Sequence, residues 1–256
     1  VDFDEFKERI RHSFKIDLGG YKEKQLKRRL NSLMGRYGTA DYGYFYQLMV
    51  GDRAVLNCFL DNLTINVSEF FRDPKMFRFL EEVILPDLLL KRPGLKVWSA
   101  ACADGAEPYS AAIILEDLAP GKKHILEATD LDQKILVKAK EGRFSSESVR
   151  NVSKGRLDRY FLKDGKDFLL KERIKEKVMF RFQDLLTGVF RTGYDLIICR
   201  NVAIYFNRES QNRLNEKFVQ SLNCGGVLFV GGSEIIMNYA ELGLTRVATG
   251  FYRKDK

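Results

Sequence analysis

The chain is poor in the residues that do covalent or metal chemistry. Of its 256 residues only four are cysteine and two are histidine. Cys58, Cys102, Cys199 and Cys224 are scattered with no Cys-x-x-Cys pair, which argues against a disulfide framework or zinc site and fits a reducing cytoplasm. His12 and His124 lie far apart in sequence, so no metal site is expected. No run approaches the ~20 apolar residues needed to span a bilayer. The start, Val1-Asp2-Phe3-Asp4-Glu5-Phe6-Lys7, has no signal-peptide core. A soluble protein without membrane insertion is the expectation. Also missing are the three-glycine loop of dinucleotide sites and the Gly-Lys-Ser/Thr of a P-loop.

What is present is an ordinary apolar fraction of 45% and a net charge of +8 that is unevenly spread. Residues 22–36 hold six Lys or Arg (Lys22, Lys24, Lys27, Arg28, Arg29, Arg36) against Glu23 alone. Residues 150–182 hold eleven against five acids. Two basic patches suggest an acidic partner, whether nucleic acid, membrane or protein.

The first third reads as helices only. Phe3, Phe6, Ile10 and Phe14 recur at helical spacing up to Gly19-Gly20, and Leu26, Leu30, Leu33 and Tyr37 make a second stripe closed by Gly38. Thr39 is the expected N-cap of a third helix with Phe45, Leu48 and Met49, and Arg53 to Asn62 supplies a fourth. Asp73-Pro74 reads as an N-cap with Pro at N1, starting a helix that Pro86 disturbs. From Pro93-Gly94 strands and helices alternate, the mark of a parallel α/β sheet. Strands are expected at Leu95–Ala100, His124–Thr129, Tyr194–Cys199 and Gly226–Gly231, with Thr245–Tyr252 closing the sheet as one antiparallel edge. Between Gly142 and Asp184 the rhythm breaks into a hairpin turning at Asp164-Gly165 and a strand at Val178–Phe182, read together as a small basic insertion at about 143–182. The expected domains are an all-helical one at 1–68, a linker and connecting helix at 69–93, and an α/β domain at 94–256.

Four segments bear on ligand binding. Tyr194 to Ile198 is a buried run, and Cys199-Arg200-Asn201-Val202-Ala203-Ile204-Tyr205-Phe206 follows at the strand end where ligands of open α/β sheets collect. After the first strand, the small residues around Gly105 let a ligand approach the backbone, and Glu107 precedes Pro108. That acid either stabilises a helix N-terminus or binds the ammonium of a methionine moiety. Asp130 ends the second strand, 25 residues after Gly105, where an acid accepts from the ribose of NAD or S-adenosylmethionine. Asp184 ends a further strand and is in place to reach an adenine amine.

With these pieces placed, the chain resembles the CheR-type chemotaxis receptor (protein-glutamate) O-methyltransferases. The matching residues are Leu63-Thr64-Ile65-Asn66-Val67-Ser68-Glu69-Phe70-Phe71-Arg72-Asp73, Trp98-Ser99-Ala100 with Gly105-Ala106-Glu107-Pro108-Tyr109-Ser110, Ala128-Thr129-Asp130-Leu131-Asp132, and Cys199 to Phe206. The resemblance covers almost the whole chain. It implies a seven-stranded, mostly parallel Rossmann-like methyltransferase sheet with a small antiparallel insertion behind an all-α domain. It implies S-adenosylmethionine as cofactor, S-adenosylhomocysteine as product, and glutamate side chains of chemotaxis receptors as acceptors. Cofactor-binding residues carried over by position are Asn66, Ser68, Arg72, Glu107, Asp130, Asp184, Leu185, Arg200 and Asn201. Three positions depart from the family pattern. Ser68 stands for the usual Thr, Ala103-Asp104-Gly105-Ala106-Glu107 for Ser-Thr-Gly-Glu-Glu, and Asp184 for the usual Asn.

A glutamate with pKa near ~4.3 is ionised at neutral pH, so its attack on a sulfonium methyl needs no general base. Arg72 and Tyr205 are the expected holders of the incoming carboxylate. Lys22, Arg29 and Arg36, seven residues apart, are expected to line one helix face for docking to the acidic helical cytoplasmic region of a receptor. The insertion lacks the glycine spacing of members that grip a receptor-tail peptide, which implies no such tether. A cytoplasmic monomer that binds no nucleic acid is expected. The competing readings are an RNA methyltransferase, although the Asn/Asp-Pro-Pro-Tyr/Phe motif and a Pro-Cys nucleophile are absent, and a non-catalytic cofactor-binding adaptor.

Overall fold

The computed structural model describes residues 1–63 and 68–255. Four helices come first: α1 (Phe3–Phe14), α2 (Glu23–Arg36), α3 (Tyr42–Gly51) and α4 (Arg53–Leu63). Their apolar stripes meet in a core built on Phe6, Ile10, Leu26, Leu30, Phe45 and Phe59. The starts follow capping rules. Asp2 accepts from Glu5 N at 2.8 Å, and the third helix is capped by Asp41, which accepts from Tyr44 N at 2.6 Å. Thr39 is therefore not the N-cap; its hydroxyl instead accepts from Asp41 N, bracing the residue that is.

The connection runs through α5 (Pro74–Phe79), a π-helical turn at Leu80–Ile84 and α6 (Leu85–Lys91). Pro86 does not end this helix. The wider turn just before it reroutes the hydrogen bonding, Leu85 N reaching Leu80 O, and the proline sits in the first turn of α6, where its missing N–H matters least. Asp73 stands at the N-cap position but makes no capping hydrogen bond; its backbone is left-handed at φ 60°.

The second unit contains β1 (Lys96–Ala100), α7 (Ala106–Leu118), β2 (Ile125–Asp130) and α8 (Gln133–Glu141). An insertion follows with β3 (Arg143–Ser145), α9 (Lys154–Tyr160), β4 (Phe161–Asp164), β5 (Asp167–Leu170) and α10 (Glu172–Lys175). The main sheet resumes with β6 (Val178–Phe182), β7 (Tyr194–Cys199), α11 (Arg208–Ser221), β8 (Leu222–Val230), β9 (Leu244–Ala248) and β10 (Phe251–Lys254). Strand order is β6-β2-β1-β7-β8-β10-β9, with β3-β5-β4 as a separate antiparallel sheet. The first five strands of the large sheet are parallel, and β10 pairs antiparallel with both β8 and β9. This is the seven-stranded, mostly parallel fold implied by the sequence.

Two expectations change. Val178–Phe182 belongs to the main sheet, pairing parallel with β2 along its length, so the insertion ends before it. The C-terminal edge is a hairpin of two strands, because Gly250 at φ 78° turns the chain back between β9 and β10. Among the described residues no helix is long and apolar enough to cross a membrane.

Strand order reverses at β1, which has β2 on one side and β7 on the other. A crevice opens at the carboxyl ends of strands at such a switch point.

Candidate active site

The crevice holds two adjoining cavities. The larger, of about 610 Å³, is walled by Ala101 and Ala103 after β1, Asp130 and Leu131 after β2, Gln183, Asp184 and Leu185 after β6, and residues of the Asn201–Phe206 segment after β7; Tyr21 and Leu63 of the helical unit complete it. The second, of about 450 Å³, shares Ala101, Ala103, Asn201 and Val202 and adds Ser68, Glu69, Arg72, Cys102, Glu107 and Arg200. Two sequence-expected groups therefore separate: Asp130, Asp184, Leu185 and Tyr205 around the first cavity, Ser68, Arg72, Glu107 and Arg200 around the second, with Asn201 between them. Asn66 lies outside the described residues.

The walls are strained backbone. Among the described residues six non-glycine positions have positive φ; three of them, Ala101, Ala103 and Asn201, line this crevice and a fourth, Asp73, pairs with Arg200, which does. Such conformations cost of order 1–3 kcal/mol each and persist where the surroundings over-determine them. One such determinant is Glu234. Its carboxylate accepts from Asn201 N at 2.6 Å, Val202 N at 3.1 Å and Gly231 N at 2.7 Å, tying the ends of β7 and β8 together. A Cβ on Gly231 would sit 2.6 Å from Glu234 Oε2, so the glycine makes room for the clasp. The sequence pattern above does not single out Glu234; the signal was an acid two residues past the Gly231-Gly232 pair that follows a strand.

Asp130 is buried and holds two backbone donors, Ala103 N at 2.9 Å and Asp132 N at 3.0 Å. Each carboxylate oxygen keeps a second lone pair for a ligand hydroxyl. Burial pushes its pKa up, against the pull of those N–H groups. Asp184 is engaged likewise, accepting from Leu186 N at 2.8 Å and Thr187 Oγ1 at 3.0 Å, and burial raises it too.

Glu107 opens α7. It accepts from Ser99 Oγ at 2.7 Å and lies 3.8 Å from Arg200 Nη1. Burial raises its pKa, while Arg200, Ser99 and Arg72 favour the charged form. Ser68 hydrogen-bonds the carboxylate of Asp104 in the same loop. Arg200, just past the end of β7, turns inward. Its side chain is 1% exposed, paired with Asp73, with its guanidinium carbon 5.3 Å from the ring centre of Phe77 and 4.9 Å from that of Phe229. It holds Glu107 and the linker in place from inside. This also explains why Asp73 does not cap α5.

Tyr205 sits in a 3₁₀ turn, Ala203–Tyr205, clamped by the helical unit. Lys22 N donates to Tyr205 O at 2.9 Å, Asn207 N to Gly20 O at 2.8 Å and Asn207 Nδ2 to Gly19 O at 2.9 Å. The glycine pair that reads as a helix end is thus a docking segment. Arg29 lies over the Tyr205 ring at 5.6 Å and is half-buried there, whereas Lys22, just ahead of α2, and Arg36 are exposed. The three do not form one exposed stripe.

Two orphaned acceptors test the fit of a nucleoside-bearing cofactor. Among the described residues, Asn201 Oδ1 and Gln183 Oε1 are buried at these cavities without a hydrogen-bond partner. A ligand carrying amine, ammonium and hydroxyl donors satisfies them, and Asp130, Asp184 and Glu107 supply charged acceptors beside them. Among the described residues no group of three or more His, Cys, Asp or Glu is arranged to hold a metal.

Comparison with known proteins agrees. Residues 66–248 match the family model described as CheR methyltransferase, SAM binding domain, and residues 1–64 match its all-alpha domain. The chemotaxis protein methyltransferase of Listeria monocytogenes is 39% identical over 246 residues, covering 96% of this chain and 94% of that one. Chemotaxis protein methyltransferase 1 of Pseudomonas aeruginosa is 33% identical, covering 93% and 91%. The corresponding protein of Borreliella burgdorferi is 32% identical, covering 96% and 91%. Fold and site define an S-adenosylmethionine-dependent methyltransferase. The chain belongs to the CheR methyltransferase family.

Proposed function

We propose that this enzyme methylates glutamate side chains in the helical cytoplasmic region of chemotaxis receptors, forming methyl esters, and does so in the cytoplasm as a monomer. The observation that carries the reading is the character of the open crevice. Arg72 and Tyr205 border it, with Arg29 over the Tyr205 ring, while Asp130, Asp184 and Glu107 are engaged by backbone amides, hydroxyls or Arg200. Such a rim suits an incoming carboxylate. The relatives' names point to chemotaxis.

When bound, S-adenosylmethionine supplies a sulfonium methyl as electrophile. In this reading Asp130 accepts from ribose hydroxyls, Asp184 from the adenine amine and Glu107 from the ammonium, with Asn66, Ser68, Leu185, Asn201 and the Arg200-braced strand end completing the site. Arg72 and Tyr205 orient the glutamate carboxylate for in-line attack. No residue need remove a proton, because the nucleophile is ionised at neutral pH. Cys102 and Cys199 fit that economy: burial pushes both thiols well up, so neither is a nucleophile. Alignment and exclusion of water can lower such a barrier by ~7–11 kcal/mol. Lys22, Arg29 and Arg36 would dock the receptor, with Arg29 reaching Tyr205 itself.

The test is methyl transfer from radiolabelled S-adenosylmethionine to a receptor cytoplasmic fragment and, separately, to RNA. Label on the receptor that mild alkali releases supports the proposal. Label on RNA would show a nucleic-acid methyltransferase, and binding of S-adenosylhomocysteine without transfer a non-catalytic adaptor.

A further inference from the structure

Tyr21 belongs to the helical unit yet forms part of the wall of the larger cavity, beside Asp130, Leu131 and Asp184. We infer that Tyr21 is a cofactor-site residue whose phenol closes the adenosine end of the crevice and contacts the nucleoside. The inference depends only on S-adenosylmethionine binding and not on the identity of the methyl acceptor.

Its position is fixed from several sides. Tyr21 forms an isolated antiparallel bridge with Phe206, and the two rings meet edge-on with centroids 5.2 Å apart. The neighbouring Gly20 permits this approach, since a Cβ there would lie 2.6 Å from Leu186 Cδ1 and 2.9 Å from Ser210 Oγ. Two bonds of Asn207 to Gly19 and Gly20 hold the segment from outside the cavity.

The chemistry suits a nucleoside. Burial first, then the charge of Asp184, with Asp130 and Asp17 adding and Arg29 opposing, pushes the hydroxyl well up, so it stays a neutral O–H donor. The cavity thus combines anionic acceptors on the sheet side with an aromatic face and one donor on the helical side. A purine offers both a flat π-face and ring-nitrogen acceptors to such a wall. The adenosine end is indicated because Asp130 and Asp184 share this cavity, whereas Glu107, Ser68 and Arg72 border the other.

Calorimetric titration of the intact protein with S-adenosylhomocysteine and with adenosine tests this. Tyr21→Leu should weaken both ligands by the same factor, about 10-fold, the size of one aromatic–base contact. Tyr21→Phe should weaken both by about 3-fold, the size of one neutral hydrogen bond. Asn207→Ala removes only the side-chain bond to Gly19 and keeps the backbone bond to Gly20 and the Tyr21–Phe206 bridge, so it should keep wild-type affinity. Unchanged binding in Tyr21→Leu, a loss for S-adenosylhomocysteine but not adenosine, or an equal loss in Asn207→Ala would each overturn the inference. If Tyr21→Leu does not fold, Tyr21→Phe retains the ring and decides alone.

Discussion

Asp130 carries two loads at once, holding the N–H groups of Ala103 and Asp132 while facing the larger cavity. Replacing it by alanine would loosen the loop as well as remove the acceptor, so Asp130→Asn is the cleaner variant. It should weaken S-adenosylhomocysteine binding by ~1.5–3 kcal/mol in calorimetry, the range for hydrogen bonds to a charged group. Unchanged affinity in a folded variant would remove the ribose assignment. Tyr205→Phe should lower turnover while leaving cofactor affinity intact, since the hydroxyl is proposed to orient the acceptor alone. A parallel loss of cofactor binding would make Tyr205 part of the cofactor pocket instead. At this scale the sequence was legible where a residue acts from a strand end, as Asp130 and Glu107 do. It was not legible for Arg200, whose inward turn depends on Asp73 and Phe77, more than a hundred positions away. Nor was it for Glu234, whose three amide partners come together only once β7 and β8 pair.

Between elements, the segment from Gly19 to Lys22 matters as much as the helix after it. It pins the turn that carries Tyr205, and α2 delivers Arg29 to the same ring. A charge reversal at Arg29 would disturb Tyr205 along with any docking surface. The exposed pair separates the two effects: Lys22→Glu with Arg36→Glu should raise the Michaelis constant for a receptor fragment and leave cofactor affinity unchanged. The wild-type rate at low receptor concentration should also fall as salt rises, because exposed charges are screened beyond ~8 Å at physiological ionic strength. Wild-type receptor kinetics in the double variant would shift the docking role to the basic insertion. Periodicity recovered the helices and most strands because their apolar patterns are local. Sheet membership is not local. Val178–Phe182 reads as a strand in either place, and only its parallel register with β2 puts it in the main sheet.

Across the molecule, the crevice concentrates carboxyl groups whose burial raises their pKa, Glu107, Asp130 and Asp184, with Asp104 raised likewise in the adjoining loop. The folded chain therefore holds these protons more tightly than the unfolded one. Their contribution favours the fold at acid pH and is lost as pH rises through their folded-state range. Cofactor binding runs in the opposite direction, because ligand hydroxyls, amine and ammonium are held best by ionised carboxylates. Affinity for S-adenosylhomocysteine, measured by calorimetry at falling pH, should begin to drop above the ordinary carboxylate range of about 3.9–4.3. A flat profile through that range would mean these acids do not touch the ligand. The atom that receives the methyl group is read directly by tandem mass spectrometry of a receptor cytoplasmic fragment incubated with the enzyme and S-adenosylmethionine. Single methyl additions on glutamate side chains that disappear after mild alkali are expected; alkali-stable methylation on lysine or arginine would overturn the proposed function, as would no addition by an enzyme that still binds S-adenosylhomocysteine.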